Sequence, residues 1–326
     1  MNQPLLSVCL ITYNHEKYID KCINSILSQK TNFNFEICIG EDSSSDKTLQ
    51  ICLHYAKKYP RFIRLFTRKS TPKISVNGIV TGRRNFLDTL NSCVGKFIAL
   101  MDGDDYWTND NKLQKQVDFL IQNPKYAACV HLTKSIAETD EWKDEVFPEI
   151  PNGGCLTLKN AIDFNSITAS TSSFVFKKFY TSYNFPSWAK RCFMGDRILL
   201  CRLTNIGSVF VLPDVMSHYR RHNSGLSYSY LKSKKKYAGS LSRLIFFRNI
   251  HHFIDCSEVE YLRVRMLRKF TLQYINIVIM KSSFNILQKV FHISSVIFHP
   301  AFITIFKYGG FSDVLKKISN KFITLF

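Results

Sequence analysis

Over the first 130 residues, short apolar runs alternate with stretches whose apolar residues recur at helical spacing, and few folds accommodate that alternation. The runs cover 6–11, 35–39, 62–66, 97–101 and 127–132. They are short and apolar throughout, as strands buried on both faces of a parallel sheet are. Between them, Tyr18, Ile19, Cys22, Ile23, Ile26 and Leu27 share a helical face. So do Leu49, Cys52, Leu53 and Ala56, then Phe86, Leu87 and Leu90, then Leu113, Val117, Leu120 and Ile121. Strand–helix–strand at this spacing predicts an α/β fold with a doubly wound, mostly parallel sheet and flanking helices.

Beyond 132 the order is less regular. Residues 133–155 are polar and acidic and read as an excursion loop, 172–176 as a strand, 196–203 as a short helix, and 209–212 as a strand ending at Pro213. From Tyr230 the pattern is helical, basic and rich in Phe and Ile. With 45% hydrophobic and 21% charged residues, a large core forms and wholesale disorder is excluded. The net charge of +19 is concentrated in residues 229–326, with 16 basic and four acidic side chains, and it points to anionic partners. The ten cysteines include no C-x-x-C pair and several lie in apolar runs, so they read as free thiols in a reducing compartment. No basic region precedes the first apolar run, so no signal peptide is expected.

In an open parallel sheet, ligands bind beyond the carboxyl ends of the strands. There the chain places Thr12-Tyr13-Asn14, then Glu41-Asp42-Ser43-Ser44-Ser45-Asp46, then Asp102-Gly103-Asp104-Asp105. Three carboxylates within four residues repel one another unless a cation lies among them, and Mg²⁺ is typically held by one or two carboxylates plus substrate phosphates. An acidic surface turn is the alternative, disfavoured by the apolar strand leading into it. The chain has neither G-x-G-x-x-G nor G-x-x-x-x-G-K-[ST], which excludes an ordinary dinucleotide site or P-loop.

Together, SVCLITYNHEKYIDKCINSILSQ, EICIGEDSSSDKT, RRNFLDTLNSCVGKFIALMDGDDYW and GDRILLCRLTNIGSVFVLPDVMSHYRRHNSGLS resemble family 2 glycosyltransferases, inverting enzymes of the GT-A fold. The resemblance covers about residues 4–228. It implies a Rossmann-like nucleotide-sugar domain over 1–228, with a donor half to about 130 and an acceptor half over 131–228. A basic, mostly helical, amphipathic tail follows over 229–326. It implies donor binding by Thr12, Tyr13, Asp42, Arg84, Asp102, Arg220 and His222, with Tyr13 stacking on the base and Asp42 bonding its edge. Asp104 would hold Mn²⁺ or Mg²⁺, with Asp105 or His222 as a further ligand. Asp196 would be the catalytic base, removing a proton from the acceptor hydroxyl. Glu41 and Ser43-Ser44 depart from the commoner Asp and Gly-Ser of the family.

Each residue also has a plainer reading. Tyr13 could cap its strand, and Asp42 or Asp196 could cap a helix. Arg84 could be a solvated helix residue with Arg83 in its role, and residues 219–222 could be a basic surface loop. Ser172 and Ser173 are acceptor-site candidates. The implied partners are a nucleoside-diphosphate sugar, with uridine favoured by Asp42, and a saccharide or lipid-linked acceptor in bacterial cell-surface polysaccharide synthesis. Two other classes compete. A nucleotidyltransferase acting on sugar phosphates would need a Gly-rich basic loop where TYNHEKY stands. A nucleic-acid-binding protein would need a recognisable module in the basic tail. No nucleic acid is therefore expected. The tail's charge around apolar segments predicts a cytoplasmic protein bound peripherally to the anionic inner face of the membrane, with a helical subdomain packed on the core as the alternative. The charge-free stretch 290–306 contains His292, Ser294, Ser295, His299 and Pro300 and makes a poor membrane span.

Overall fold

A computed structural model describes residues 3–297, apart from 70–71, 77–78, 139–143, 150–153, 165–168, 179–185, 224, 226–235 and 281–284. The first part runs β1 (Leu6–Thr12), α1 (Ile19–Leu27), β2 (Phe35–Glu41), α2 (Thr48–Lys58) and β3 (Ile63–Thr67). A small antiparallel pair, β4 (Ile74–Val76) and β5 (Ile79–Thr81), leads into α3 (Arg83–Ser92) and β6 (Phe97–Asp102). Then come β7 (Tyr106–Trp107), α4 (Lys112–Gln122), β8 (Tyr126–Ala137), β9 (Val146–Phe147), β10 (Cys155–Leu156), α5 (Leu158–Ile162) and β11 (Val175–Lys177). The chain continues through α6 (Gly195–Ile206), β12 (Ser208–Arg221), α7 (Lys236–Asn249), α8 (Glu260–Met280) and α9 (Ile286–Ile297).

The main sheet has the order β10-β12-β8-β11-β6-β1-β2-β3, with β7 on β12 and β9 on β8. β1, β2, β3 and β6 are mutually parallel where they pair, as the apolar runs predict. β11 lies antiparallel between β6 and β8 and joins them to the parallel pair β8–β12. One core, with Val8, Leu10, Ile23 and Ile37, lies on one side of the sheet's first half. The other, with Ile98, Leu100, Phe174 and Ile198, reaches the C-terminal helices.

Three expectations are corrected. The strand expected over 172–176 begins later, because Thr171–Ser173 form a tight 3₁₀ turn in which Ser173 Oγ donates to Ser170 O at 2.7 Å. Such local serine bonds compete with a strand ladder. Residues 133–137 belong to β8 rather than a loop, since Thr133 Oγ1 finds Ser217 Oγ on β12 at 2.9 Å and can be buried in the sheet. β12 does not end at Pro213. It absorbs the missing N–H with register shifts between Leu212 and Ser217 and runs on to Arg221.

The tail is helical as expected, but α7 and α8 pack on the α/β part. Leu244, Phe246, Phe247, Phe270 and Val278 are buried in the cluster that contains Phe174 and Ile198. The Phe164 ring lies 5.4, 5.1 and 5.7 Å from those of Phe246, Phe247 and Phe270. The expected boundary at 228/229, and residues 298–326, which include 298–306 of the charge-free stretch, lie outside the described residues. Among the described residues, no helix is long and apolar enough to cross a membrane.

Candidate active site

Parallel register lines up the carboxyl ends of the strands: Thr12 pairs with Glu41 across β1–β2, and Ile11 with Asp102 across β1–β6. The loops after β1 and β2 are locked together. Asn14 N–H donates to Ser44 Oγ (2.9 Å), Ser45 N–H to Asn14 Oδ1 (2.8 Å), and His15 N–H to Thr48 Oγ1 (2.8 Å). Asn14 and Ser43 take left-handed backbone angles, φ 54° and 58°, which this bonding holds in place. Glu41 is fully buried and accepts the amides of Ser43 and Ser44 (3.2 and 2.7 Å), so it shapes the turn after β2. Asp42 is not the cap of α2. Asp46 accepts the Thr48 amide there at 3.0 Å.

Tyr13 and Asp42 meet at one corner through a residue the sequence did not single out. Lys73 Nζ lies 3.5 Å from the Tyr13 ring centroid and 3.6 Å from Asp42 Oδ2. Tyr13 is exposed and Asp42 is buried. Burial pushes the Asp42 carboxyl up, and Lys73 works against that shift.

Asp104 forms the second corner. Its Oδ2 is 3.1 Å from His222 Nε2 and 3.7 Å from His15 Nε2. Burial works to raise its pKa, but the two histidines outweigh burial and hold the carboxyl below its usual range. Gly103 lets this turn come close: a Cβ there would lie 2.6 Å from Thr12 Oγ1 and 2.8 Å from His15 Nδ1. Thr12 Oγ1 also bonds His15 Nδ1 at 3.2 Å. Burial, and then the charge of Asp104, pushes Asp102 up to about 7. Asp105 is fully buried and pushed well above the ordinary carboxylate range, first by burial and then by Asp104 and Asp102. Its Oδ1 accepts the Arg220 amide at 3.0 Å, while Oδ2 has no partner among the described residues. Arg220 Nη1 donates to Asp104 O at 2.6 Å. The 219–222 segment is thus fastened to the acidic turn, not loose on the surface.

Asp196 lies in the first turn of α6, exposed; Met194 stands at the N-cap position and makes no side-chain cap bond. The residues just before it are gathered by Arg83, which is buried. Arg83 donates to the carbonyls of Ala189, Cys192 and Phe193 (3.2, 2.8 and 3.2 Å), and its guanidinium would be 3.0 Å from a Cβ on Gly195. Arg84 turns outward, half exposed, and pairs with Asp88 at 2.8 Å. The structure therefore does not bring Arg84 into the cluster, and the alternative role of Arg83 is a buried clamp on the turn before Asp196. Ser172 and Ser173 are wholly buried, with Ser172 Oγ on Ser217 Oγ (3.1 Å), and present nothing to an acceptor. Asp214, the carboxylate on β12, is paired with Lys115 at 2.9 Å.

His15, Lys73 and Arg83 are the residues that sequence reasoning missed or left secondary. His15 follows Thr12 by three positions at a strand end, a signal that was readable. Lys73 lies in an irregular stretch where no spacing marks it.

A model of the family described as glycosyl transferase family 2 matches residues 7–183. The chain belongs to that family. An uncharacterised protein of Mycobacterium tuberculosis is 32% identical over 232 residues, covering 71% of this family 2 chain, which spans 63% of that relative's length. The Escherichia coli UDP-Glc:α-D-GlcNAc-diphosphoundecaprenol β-1,3-glucosyltransferase WfgD is 33% identical over 124 residues, 38% of this chain and 44% of that one. Staphylococcus aureus TarS residues 1–349, solved with UDP-GlcNAc, superposes with a TM-score of 0.58 at 17% identity, covering 84% of this chain and 79% of that one. The architecture is therefore that of GT-A glycosyltransferases, with a helical C-terminal region.

Proposed function

We propose that this chain is an inverting, metal-dependent glycosyltransferase that moves a sugar from a nucleoside-diphosphate sugar, UDP-linked, to a hydroxyl of a saccharide or lipid-linked acceptor in bacterial cell-surface polysaccharide synthesis. The observation that carries this reading is the meeting of two groups at one sheet edge: the Tyr13–Asp42–Lys73 corner and the Asp104–His222 pair. The uridine donor is supported by Asp42, whose carboxylate accepts from a base N–H, and by the UDP-GlcNAc bound to the TarS neighbour. The lipid-linked acceptor is supported by the diphosphoundecaprenol acceptor in the WfgD name.

Among the described residues, no group of three His, Cys, Asp or Glu is arranged to hold a metal. The residues present nevertheless fit a cation of the Mg²⁺ or Mn²⁺ kind, which needs only one or two protein ligands when diphosphate and water complete its shell. Asp104 would hold it, with His222 or Asp105 adjoining. Among the described residues, Asp105 Oδ2 is buried without a partner, as an acceptor awaiting such a charge would be. When bound, the cation would neutralise charge on the leaving diphosphate. Thr12, Tyr13, Asp42 and Asp102 orient the nucleoside. Arg220 and His222 stabilise the departing phosphates. Asp196 takes the proton from the acceptor hydroxyl as its oxygen attacks C1. One displacement inverts that centre, and no covalent enzyme intermediate is needed.

A place at the cytoplasmic face of the membrane is supported by the exposed Arg265 and Lys269 on α8, within a tail of strong positive charge. The test is a thermal-shift screen of UDP-, GDP- and dTDP-sugars with Mn²⁺ and Mg²⁺. A ligand at 100 times its Kd stabilises by about 2.7 kcal/mol. Metal-dependent stabilisation by UDP-sugars is expected. No shift with any nucleotide sugar, alongside retention on DNA, would overturn the reading.

A further inference from the structure

We propose that Tyr18 is a positioning residue of the donor site, its ring bracing Arg220 and His222 against the acidic turn after β6. The functional consequence rests on the donor-site reading above, whereas the bracing rests on geometry alone.

Tyr18 immediately precedes α1, with its amide bonded to His15 O at 2.9 Å, and it makes no side-chain cap. Its side chain is therefore available for other contacts. The ring lies 4.7 Å from the His222 ring, centroid to centroid, and the Arg220 guanidinium carbon sits 5.0 Å over it. Tyr106 faces the same guanidinium at 4.6 Å, so Arg220 packs against two tyrosines. The Tyr18 hydroxyl donates to Glu138 Oε2 at 2.7 Å, which sets the angle of the ring. Burial and that bond push the hydroxyl up to about 12, so it remains a donor at working pH. Glu138 is fastened to the same segment through its amide, which donates to Arg221 O at 3.0 Å.

The braced side chains end on the reactive turn, His222 Nε2 at Asp104 Oδ2 and Arg220 Nη1 at Asp104 O. An arginine has several freely rotating bonds, and contact with aromatic faces confines it without consuming its N–H donors. Tyr18 thus holds two cationic groups in place before any phosphate arrives.

The test uses the full chain. Tyr18→Leu keeps apolar volume and removes the ring face, whereas Tyr18→Phe keeps the ring and loses only the Glu138 bond. Nitrogen relaxation at Arg220 Nε, measured without ligand, should show greater mobility in Tyr18→Leu and recovery in Tyr18→Phe, with melting temperatures of the two variants close. Titration with UDP and Mg²⁺ should show binding weakened about three- to tenfold in Tyr18→Leu, the range expected of a cation–π contact in a partly desolvated site, and more in Arg220→Ala, which also removes the guanidinium itself. In the Arg220→Ala background, Tyr18→Leu should cost less than it does in the wild-type chain, because only the His222 contact is then left for the ring to hold. Unchanged Arg220 mobility in Tyr18→Leu, or losses that multiply in the double variant, would overturn the proposal. A wild-type chain that binds no UDP would overturn the donor reading, while the relaxation data would still decide whether Tyr18 braces Arg220.

Discussion

Asp104 lies between two histidines and two other carboxylates, and these neighbours set the sign of what its removal does. Asp104→Asn takes one negative charge out of a crowded turn and leaves Asp102 and Asp105 less repelled. We expect the fold to survive with a somewhat lower melting temperature, because the net hold of His15 and His222 on the charged carboxyl is lost, while sugar transfer and metal-dependent stabilisation by nucleoside diphosphate are lost. Full turnover of this variant in EDTA would sink the assignment. Asp196→Asn is nearly isosteric but cannot accept the acceptor proton. It should leave donor affinity intact and lower kcat by about 10²-fold or more, so a wild-type rate in a steady-state assay would place the base elsewhere. A third residue governs acid stability. His131 is wholly buried and held at about 3, by burial first and then by the charge of Lys112. A base held below its ordinary value takes up its proton in the unfolded chain first. Its contribution to stability is therefore intact above about 6.5 and declines toward 3, by up to about 1.4 kcal/mol per pH unit. Asp102 and Asp105, held above the carboxylate range, give a slope of the opposite sign in this window, so the His131 part is read as the difference between urea unfolding of the wild-type chain and of His131→Leu.

At the scale of elements, the site depends on close backbone approach. The turn between α3 and β6 presses Gly95 against β1, and its amide donates to Ser7 Oγ at 2.8 Å. A Cβ there would come within 2.5 Å of the Ser7 amide nitrogen and 2.6 Å of the Leu6 carbonyl carbon, both backbone atoms that cannot swing aside. Gly95→Ala should destabilise by about 1–3 kcal/mol through overpacking, read as a lower denaturant midpoint with unchanged m-value. An unaltered midpoint would mean that β1 and β6 separate more easily than their register implies. Helix α6 shows the same dependence at its start. Phe193 N–H donates to Ser242 Oγ on α7 at 2.7 Å, and Arg83 on α3 gathers the carbonyls before Gly195. Three elements distant in sequence therefore fix where Asp196 stands.

For the whole molecule, the C-terminal helices complete the core and also carry surface charge. Leu244, Phe246, Phe247 and Phe270 are buried with residues of the α/β part. Truncation after Ser229 would expose that face, and the expected outcome is aggregated protein with no cooperative melt. A soluble, donor-binding fragment would show that the two parts fold independently. The exposed side of α8 carries Arg265 and Lys269 between Tyr261 and Met280. Anionic lipid attracts such residues by about 1 kcal/mol each near the surface. The intact chain should co-sediment with anionic vesicles at low salt and be partly released at high salt, less strongly when Arg265→Glu and Lys269→Glu are combined. Equal sedimentation with neutral and anionic vesicles would count against surface attachment.

The alternating pattern of the first 130 residues was sufficient for β1, β2, β3, β6 and their intervening helices, because buried parallel strands and one-faced helices write their burial directly into residue order. The clusters at strand ends were legible for the same reason: once the strands are placed, Thr12, Asp42 and Asp104 must share an edge. What only the tertiary structure decided depends on groups far apart in sequence. Arg83 and Arg84 are adjacent and chemically alike, and only the packing of α3 against the turn before α6 buries one and exposes the other. Lys73 reaches Tyr13 and Asp42 across roughly thirty to sixty positions, and Tyr18 reaches Arg220 across some two hundred. The tail is a case of the same kind. Its composition reads first as a membrane surface and only second as a packed subdomain, and the partner for its apolar face was Phe164, Phe174 and Ile198, residues that no local pattern ties to it. Residue order specifies which face of an element is apolar, whereas contact across the fold specifies what that face meets.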